Sequence, residues 1–164
     1  MGRSVSVDRD SWAPPEPPAR RVQTDVPGAM GGSRLWDLPA QQADRDALRA
    51  FTAPGPPLAV EVGFDHGITL LSQARAHPGW RWLGVELRER RVAAVQRHAP
   101  ANCLALRADG RTLFAALLPP GRVQRVDLLF PTPTTSGRHL LLTPALVEDM
   151  RRCLAPDAVC MEDS

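Results

Sequence analysis

The segment Leu58-Ala-Val-Glu-Val-Gly-Phe-Asp-His-Gly67 decides the fold. Its first half is an apolar run that predicts a buried strand, and its glycines, Gly63 and Gly67, predict a tight turn that opens into a helix. The first amide groups of such a helix have no partners within the helix and can face a ligand. A strand, a glycine turn and a helix in this order are typical of a nucleotide-type cofactor site.

Acidic residues accompany three successive predicted strands. Glu61 lies two residues before the first glycine, Glu86 ends the second strand, and Asp109 follows the third. The interval between Glu61 and Glu86 is close to the roughly 20 residues at which nucleotide folds place a ribose ligand. Because parallel strands end at one edge of a sheet, the three carboxylates are expected there together, and they predict an adenosine site.

Two cofactor classes fit this layout. Dinucleotide-binding folds carry G-x-G-x-x-G, with the acidic residue further along the chain. The pattern Glu61-x-Gly63-x-Asp65-x-Gly67 resembles instead the E-x-G-x-G-x-G of S-adenosylmethionine (SAM) methyltransferases, with Asp65 at the middle glycine. SAM is therefore the predicted cofactor, and an NAD-dependent oxidoreductase is the weaker alternative.

Predicted strands and helices alternate along the rest of the chain. Strands are expected at 58–62, 80–86, 102–107, 126–130 and 157–162, and helices at 39–51, 66–76, 88–99, 111–118 and from 144. Thr143 and Pro144 predict the start of the last helix, whose core-facing residues are predicted to be Leu146, Val147, Met150 and Leu154. This alternation predicts an α/β fold with a doubly wound parallel sheet, helices on both faces and a ligand beyond the carboxyl ends of the strands.

The fourth strand makes the resemblance specific. Asp127-Leu-Leu-Phe-Pro-Thr-Pro133, followed by Arg138-His139, is similar to the bacterial tRNA (guanine-N7)-methyltransferase family, whose fourth strand runs into F-P-D-P-W and then a basic R-H stretch. Gly84-Val-Glu86 and the opening segment match further elements of that family. The similarity covers roughly residues 58–163 and implies a Rossmann-like class I SAM methyltransferase fold.

The resemblance implies a role for individual residues. Glu61, Glu86 and Asp109 correspond to SAM ligands, with Asp109 beside the adenine ring, and the turn contributes Gly63 and Gly67. Thr132 occupies the position of an aspartate that contacts cofactor and target base together. A single hydroxyl replaces a base-orienting carboxylate poorly, so no catalytic residue is assigned.

The implied substrate is tRNA or another RNA, bound by Arg138, His139 and Asp163. Leu140-Leu-Leu142 stands where the family continues its basic run, so weakened phosphate contacts and weaker RNA binding are expected. The predicted function is methyl transfer from SAM to guanine N7 of RNA or a related acceptor. A degenerate, non-catalytic methyltransferase that serves as a binding or partner subunit is the alternative.

The chain is also expected to lack the last two strands of the family fold, since it ends at Ser164. An exposed fifth strand would then favour homo- or hetero-oligomers through its edge. Residues 1–38, rich in proline, glycine and arginine, are predicted to be a flexible arm, and 39–164 one SAM-binding domain.

Composition limits the remaining possibilities. The net charge of +2 is too small to require a nucleic acid partner. The sequence has neither an apolar run of the roughly 20 residues that cross a bilayer nor a secretion signal, so a cytoplasmic protein without membrane contact is expected. The cysteines and histidines are scattered without metal-ligand spacing, which predicts buried reduced thiols and no metal.

Overall fold

The computed structural model of the chain describes residues 42–129 and 143–163, with residues 129 and 159–163 as backbone only. Thr132, Arg138 and His139 lie outside the described residues, as does the arm predicted for 1–38. The roles predicted for these three residues, and the domain boundary near residue 38, therefore stay predictions.

Within the described residues, five parallel strands form one sheet in the order β3-β2-β1-β4-β5. The strands are Leu58–Val62 (β1), Arg81–Glu86 (β2), Cys103–Arg107 (β3), Val123–Leu129 (β4) and Leu154–Asp163 (β5). The chain moves outward from β1 through β2 to β3, and then returns to pair β4 with the other side of β1. The order of the strands thus reverses between β1 and β4, and open α/β sheets bind ligands at such a reversal.

Helices cover both faces of this sheet, as predicted. The helices are Gln42–Thr52 (α1), Ile68–Ala76 (α2), Glu89–Gln96 (α3), Gly110–Thr112 (α4) with a π-helical turn at Leu113–Leu117, and Pro144–Cys153 (α5). Buried residues of α2 and α3 pack on one face, and those of α1, the π-helical turn and α5 on the other. The predicted doubly wound α/β fold is confirmed.

The central strand β1 is buried along its whole length between β2 and β4. Val60 and Val62 face the helices α1 and α5, whereas Ala59 packs on the side of α2 and α3. Since side chains alternate along a strand, Glu61 belongs to the same face as Ala59. A carboxylate therefore lies in the interior of the sheet.

The fourth strand begins three residues earlier than the predicted 126–130. Leu58 pairs with Val123 but Ala59 pairs with Arg125, so Gln124 is an extra residue in β4. Such a bulge lets Val123 and Val126 face the same core although they are three residues apart. The two-residue periodicity of a regular strand could not predict this.

The last helix starts as predicted but buries a different set of side chains. The Thr143 hydroxyl accepts a hydrogen bond from the Leu146 amide at 3.2 Å, as expected of a helix N-cap. Leu146, Met150 and Cys153 are buried, whereas Val147, predicted to face the core, is 39% exposed. The prediction for Val147 was wrong because Leu146, Met150 and Cys153 form the buried stripe of α5, and Val147 lies beside this stripe.

A glycine in β2 gives a direct test of this packing. A Cβ atom at Gly84 would overlap Cδ2 of Leu70 and lie 2.7 Å from Cδ1 of Phe64. Gly84→Ala should therefore lower the free energy of unfolding by about 1–3 kcal/mol in urea denaturation, as overpacked cores do. Gly79→Ala is the control, because nothing lies within 4 Å of a Cβ there. Equal midpoints for the two variants would contradict the packing of α2 on β2.

Candidate functional site

The turn after β1 has the backbone that its glycines predict. Gly63 and Gly67 have φ angles of 74° and 72°, in the left-handed region that glycine adopts without strain. The Gly63 amide donates to the Val85 carbonyl at 2.8 Å, which fixes the turn against β2. A Cβ at Gly67 would overlap Val95, whereas nothing lies within 4 Å of one at Gly63. The turn is closed towards α3 and open at Gly63.

Asp65 stands where the motif has its middle glycine, and it too has a positive φ, 53°. Aspartate tolerates this region better than most residues. Its carboxylate pairs with Arg91, with Arg88 at 3.6 Å and with Nδ1 of His66 at 2.6 Å. Its amide donates to Oε2 of Glu86 at 3.2 Å. Charge contacts to α3 and to the end of β2 thus hold the loop in the shape that glycine would permit.

Glu86 ends β2 with its carboxylate held in place by backbone amides. Its Oε1 atom accepts hydrogen bonds from the amides of Leu87 at 2.9 Å and Arg88 at 3.1 Å. Together with the bond from Asp65, these contacts use three of about four acceptor positions of the carboxylate. Glu86 is therefore oriented in advance and keeps acceptor capacity for one more donor, such as a ribose hydroxyl.

Asp109 follows β3 as the N-cap of α4. Its Oδ1 accepts from the amide of Arg111 at 2.8 Å and from Nε at 3.0 Å, and its Oδ2 accepts from Nη2 at 2.7 Å. These hydrogen bonds raise the pKa of Arg111 above its usual range. Asp109 is 3% exposed. The Arg111 guanidinium therefore orients a buried carboxylate through its hydrogen bonds.

The carboxyl ends of the first three strands lie side by side, with the predicted SAM ligands upon them. The Ala108 amide donates to the Glu86 carbonyl at 3.3 Å, and a Cβ at Gly110 would lie 2.5 Å from Cγ1 of Val62. The structure thus brings Glu61, Gly63, Gly67, Glu86 and Asp109 to one edge of the sheet.

Asp163, the remaining described site residue, ends β5 in register with Leu129 of β4. Its backbone therefore lies two strands away from β1, at the same edge of the sheet. Its predicted contact with substrate stays a prediction.

Glu61 differs from the other carboxylates because it is buried without a hydrogen bond. It is 1% exposed, and neither carboxylate oxygen has a partner among the described residues. Burial and then the charge of Asp127 raise the pKa of Glu61 to about 8, against an opposing effect of Arg125. The side chain is therefore mostly protonated at neutral pH.

Arg125 and Asp127 form an ion pair on β4 that the sequence analysis missed. Nε of Arg125 donates to Oδ1 of Asp127 at 2.8 Å, and the guanidinium carbon lies 5.4 Å from the centre of the Trp82 ring. Asp127 is 2% exposed and is the register partner of Glu61. The signal was present, because two charges spaced by two within an apolar strand share one face.

The two cysteines with described side chains are free and buried, as predicted. Burial raises the pKa of the Cys103 and Cys153 thiols to about 11, so both are neutral at ordinary pH. Cys153 donates weakly to the Phe114 carbonyl at 3.5 Å. Both thiols therefore belong to the core and not to the candidate site.

Several solved structures with this fold are methyltransferases. The antibiotic-resistance methyltransferase Kmr superposes with a TM-score of 0.55 at 22% identity, over 72% of this chain and 63% of its own. A SAM-dependent methyltransferase from Aquifex aeolicus gives 0.51 at 18% identity, over 73% and 62%. The fold is therefore that of the class I SAM-dependent methyltransferases.

Sequence comparison narrows this class. Residues 56–162 match the profile of a family described as "Putative methyltransferase". The tRNA (guanine-N(7)-)-methyltransferase of Leifsonia xyli subsp. xyli is 37% identical over 123 residues, which are 71% of this chain and 53% of that protein. The chain belongs to the tRNA (guanine-N7)-methyltransferase family. It spans about half the length of the curated relatives it matches.

Family membership confirms SAM as the cofactor class and does not favour the non-catalytic or NAD-dependent alternatives. Across residues 42–129 and 143–163, every helix is too short or too polar to cross a membrane. The same residues contain no group of three or more metal-ligating side chains. The absence of a metal cofactor and the cytoplasmic location stay predictions.

Glu61 makes stability depend on pH in a defined direction. Its pKa is about 8 in the folded protein against 4.5 without the fold, so its contribution is complete below pH 4.5 and is lost as pH rises to about 8. Between pH 5 and 8.5 the wild type should lose about 4 kcal/mol more of its free energy of unfolding than Glu61→Gln, which does not titrate. Urea denaturation at both pH values measures this, and parallel losses would contradict a buried, unpartnered Glu61.

Two substitutions of Asp65 distinguish the effect of backbone strain on stability from the effect of the ion pairs. Asp65→Gly and Asp65→Ala both remove the ion pairs to Arg88 and Arg91, but alanine must also adopt the positive φ of 53°. Asp65→Ala should therefore be less stable than Asp65→Gly by about 1 kcal/mol in urea denaturation. If the two variants unfold at the same urea concentration, the left-handed conformation of the loop is contradicted.

Proposed function

We propose that this chain binds SAM across the carboxyl ends of β1, β2 and β3 and transfers its methyl group to N7 of a guanine in tRNA. One observation supports this proposal most strongly. Glu61, Glu86 and Asp109 lie together at that edge, around a glycine turn that is open at Gly63. The names of the relatives support guanine N7 of tRNA as the acceptor.

The described residues fit a nucleoside with an amino-acid tail. Glu86 has acceptor capacity left for one ribose hydroxyl, and Oδ2 of Asp109 can accept a second hydrogen bond, from an exocyclic amine. Within the described part of the chain, both oxygens of Glu61 lack a hydrogen-bond partner at the end of β1, where a cation would satisfy them. The backbone of Gly63 would contact the ligand closely, because no side chain stands in front of it.

The chemistry requires little from acids or bases. SAM supplies a methyl group on a positively charged sulfur, and guanine N7 offers a free lone pair. The residues of this chain would therefore act by holding the two reactants in line at short distance, which alone accounts for about 7–11 kcal/mol of a barrier. The prior orientation of Glu86 by backbone amides and of Asp109 by Arg111 serves this purpose.

The acceptor side of the site is proposed from sequence positions. Arg138 and His139 would contact tRNA phosphates, and Asp163 and Thr132 would lie near the base. Because Leu140 to Leu142 replace further basic residues, we expect weak RNA binding whose affinity depends only shallowly on salt. Within the described residues β5 pairs with β4, and association of two chains through its other edge belongs to the same proposal.

Glu86 provides the test of the cofactor site. Glu86→Gln should raise the dissociation constant for S-adenosylhomocysteine about tenfold or more in calorimetric titration, since a charged hydrogen bond contributes about 1.5–3 kcal/mol. Glu89→Gln is the matched control, because Glu89 is exposed in the first turn of α3. Equal affinities for the wild type and Glu86→Gln would contradict this location of the ribose.

Methyl transfer tests the acceptor. We expect labelled methyl groups to pass from SAM to an unmodified tRNA transcript at low salt, and not to a transcript in which 7-deazaguanine replaces guanine. The second transcript keeps the shape and charge of the first but lacks the N7 lone pair. Equal labelling of both transcripts would contradict guanine N7 as the acceptor, and no labelling of either would contradict the activity.

A further inference from the structure

The charge of the chain is unevenly distributed along the sequence. Over the whole chain the basic and acidic residues are almost balanced, 20 against 18. The segment 66–102, which contains α2, β2 and α3, differs from this average. Its arginines outnumber its acids, with Arg75, Arg81, Arg88, Arg90, Arg91 and Arg97 against Glu86 and Glu89. The small net charge therefore hides a basic region of the molecule.

The outer side of α3 carries two of these arginines. Val92 and Val95 bury the inner side of the helix, and Nε2 of Gln96 donates to the Ala105 carbonyl at 2.8 Å. At about 100° per residue, Arg90 and Arg97 lie opposite the two valines and within about 20° of each other around the axis. Their Cα atoms are about 10 Å apart along the axis. Both side chains are therefore held on the exposed side of α3.

These two arginines have no acid with which to pair on their own helix. An acid three or four residues away would stabilise each of them. Ala93 and Ala94 occupy the positions three and four residues from both Arg90 and Arg97. Among the described residues, neither guanidinium takes part in an ion pair or a hydrogen bond. Their charges are thus uncompensated, although compensation would stabilise the helix.

The acids near the start of α3 are paired with other arginines. Asp65 pairs with Arg91, and Oε2 of Glu89 lies 3.8 Å from Nη1 of Arg107. Arg88 lies 3.6 Å from the same carboxylate of Asp65, and its side chain is 64% exposed. One acid thus faces two arginines at this end of α3, and a positive charge remains in excess.

A further arginine extends the basic region beyond the end of α3. Nη2 of Arg75, in the last turn of α2, donates to the His98 carbonyl at 3.1 Å, which places Arg75 beside the residue that follows Arg97. Arg88, Arg90, Arg97 and Arg75 form a row that we call the basic stripe. It begins next to Glu86 at the carboxyl end of β2 and follows α3 for about 14 Å towards the opposite edge of the sheet.

We infer that the basic stripe binds the phosphate backbone of the RNA whose base is methylated. This inference rests on the proposed function, which supplies an RNA as the partner. One end of the stripe lies beside Glu86, so the nucleotides that adjoin an acceptor base at this edge would continue along α3. Exposed guanidinium groups in a row fit a polyanion, because each offers several N–H donors to phosphate oxygens.

The composition of the stripe favours RNA over an anionic membrane surface. Helices that bind at a membrane surface insert large apolar side chains beside their basic ones. Every residue of α3 is described, and its exposed residues include no large apolar side chain. Ile68 and Leu87, which are exposed, lie at the glycine turn and after β2. Ala93 is small and exposed, so it leaves room for a phosphate backbone between Arg90 and Arg97.

The salt dependence of RNA binding measures these contacts. Each phosphate contact steepens the logarithmic dependence of affinity on salt by about 0.7–0.9. Arg138 and His139 alone would give a shallow dependence, and the basic stripe predicts a steeper one. The double variant Arg90→Gln, Arg97→Gln should lower this slope by about 1.4–1.8 and weaken binding of an unmodified tRNA transcript about tenfold at low salt. Fluorescence anisotropy between about 50 and 200 mM salt measures both quantities.

Two control variants separate position from charge. The double variant Arg49→Gln, Arg151→Gln removes the same charge from α1 and α5, which pack on the other face of the sheet, and should keep the wild-type slope. The double variant Arg90→Lys, Arg97→Lys keeps the charge of the stripe and should also stay close to the wild-type slope. All three variants should bind S-adenosylhomocysteine as tightly as the wild type, because none of these arginines lies among the strand-end carboxylates.

The outcomes separate this inference from the proposed function. Equal slopes for the wild type and Arg90→Gln, Arg97→Gln would overturn the basic stripe alone, as would an equal loss of slope in Arg49→Gln, Arg151→Gln. Unchanged tRNA binding with a loss of binding to phosphatidylserine vesicles would replace RNA by a lipid surface and overturn the inference. Binding of S-adenosylhomocysteine but not of tRNA by the wild type would overturn the RNA acceptor and the inference together.

Discussion

The pairing of β1 with β2 on one side and β4 on the other is the constraint on which the rest of the structure depends. It buries the whole of Leu58–Val62, so every side chain of that strand points into one of the two hydrophobic cores. Four of the five side chains are apolar. The fifth, Glu61, places an acid in the interior at the point where the strand order reverses, and the glycine turn beyond it opens at the same edge. Among the described residues, neither oxygen of this buried acid has a hydrogen-bond partner.

Local patterns predicted most of the elements. The bounds of β1 and the start of α5 follow from apolar runs and from a capping threonine, because these signals act over a few residues. Contacts between distant parts of the chain determined the features that local patterns could not predict. The bulge at Gln124 moves the start of β4, and the helix expected at 111–118 begins with a short α4 and continues as a π-helical turn in which the Leu118 amide donates to the Leu113 carbonyl.

The candidate site divides in the same way. Its carboxylates at strand ends could be predicted, since parallel topology carries every strand end to one edge. Their partners were less accessible to prediction. Arg111 beside Asp109 is local, but the contacts of Asp65 with α3 and the position of Asp127 beside Glu61 depend on how separate elements meet. Both of these contacts involve acids whose charge is paired with an arginine.

Amide chemical shifts during a titration with S-adenosylhomocysteine test the central claim most directly, because they report the location of binding without requiring activity. The account predicts shifts in the turn at 61–67, in 86–88 and in 108–111, with little change in the groove of about 560 Å³ at the opposite edge, which Arg49, Pro54 and Pro119 help to line. Shifts concentrated in that groove, or none at the carboxyl ends of β1, β2 and β3, would contradict it.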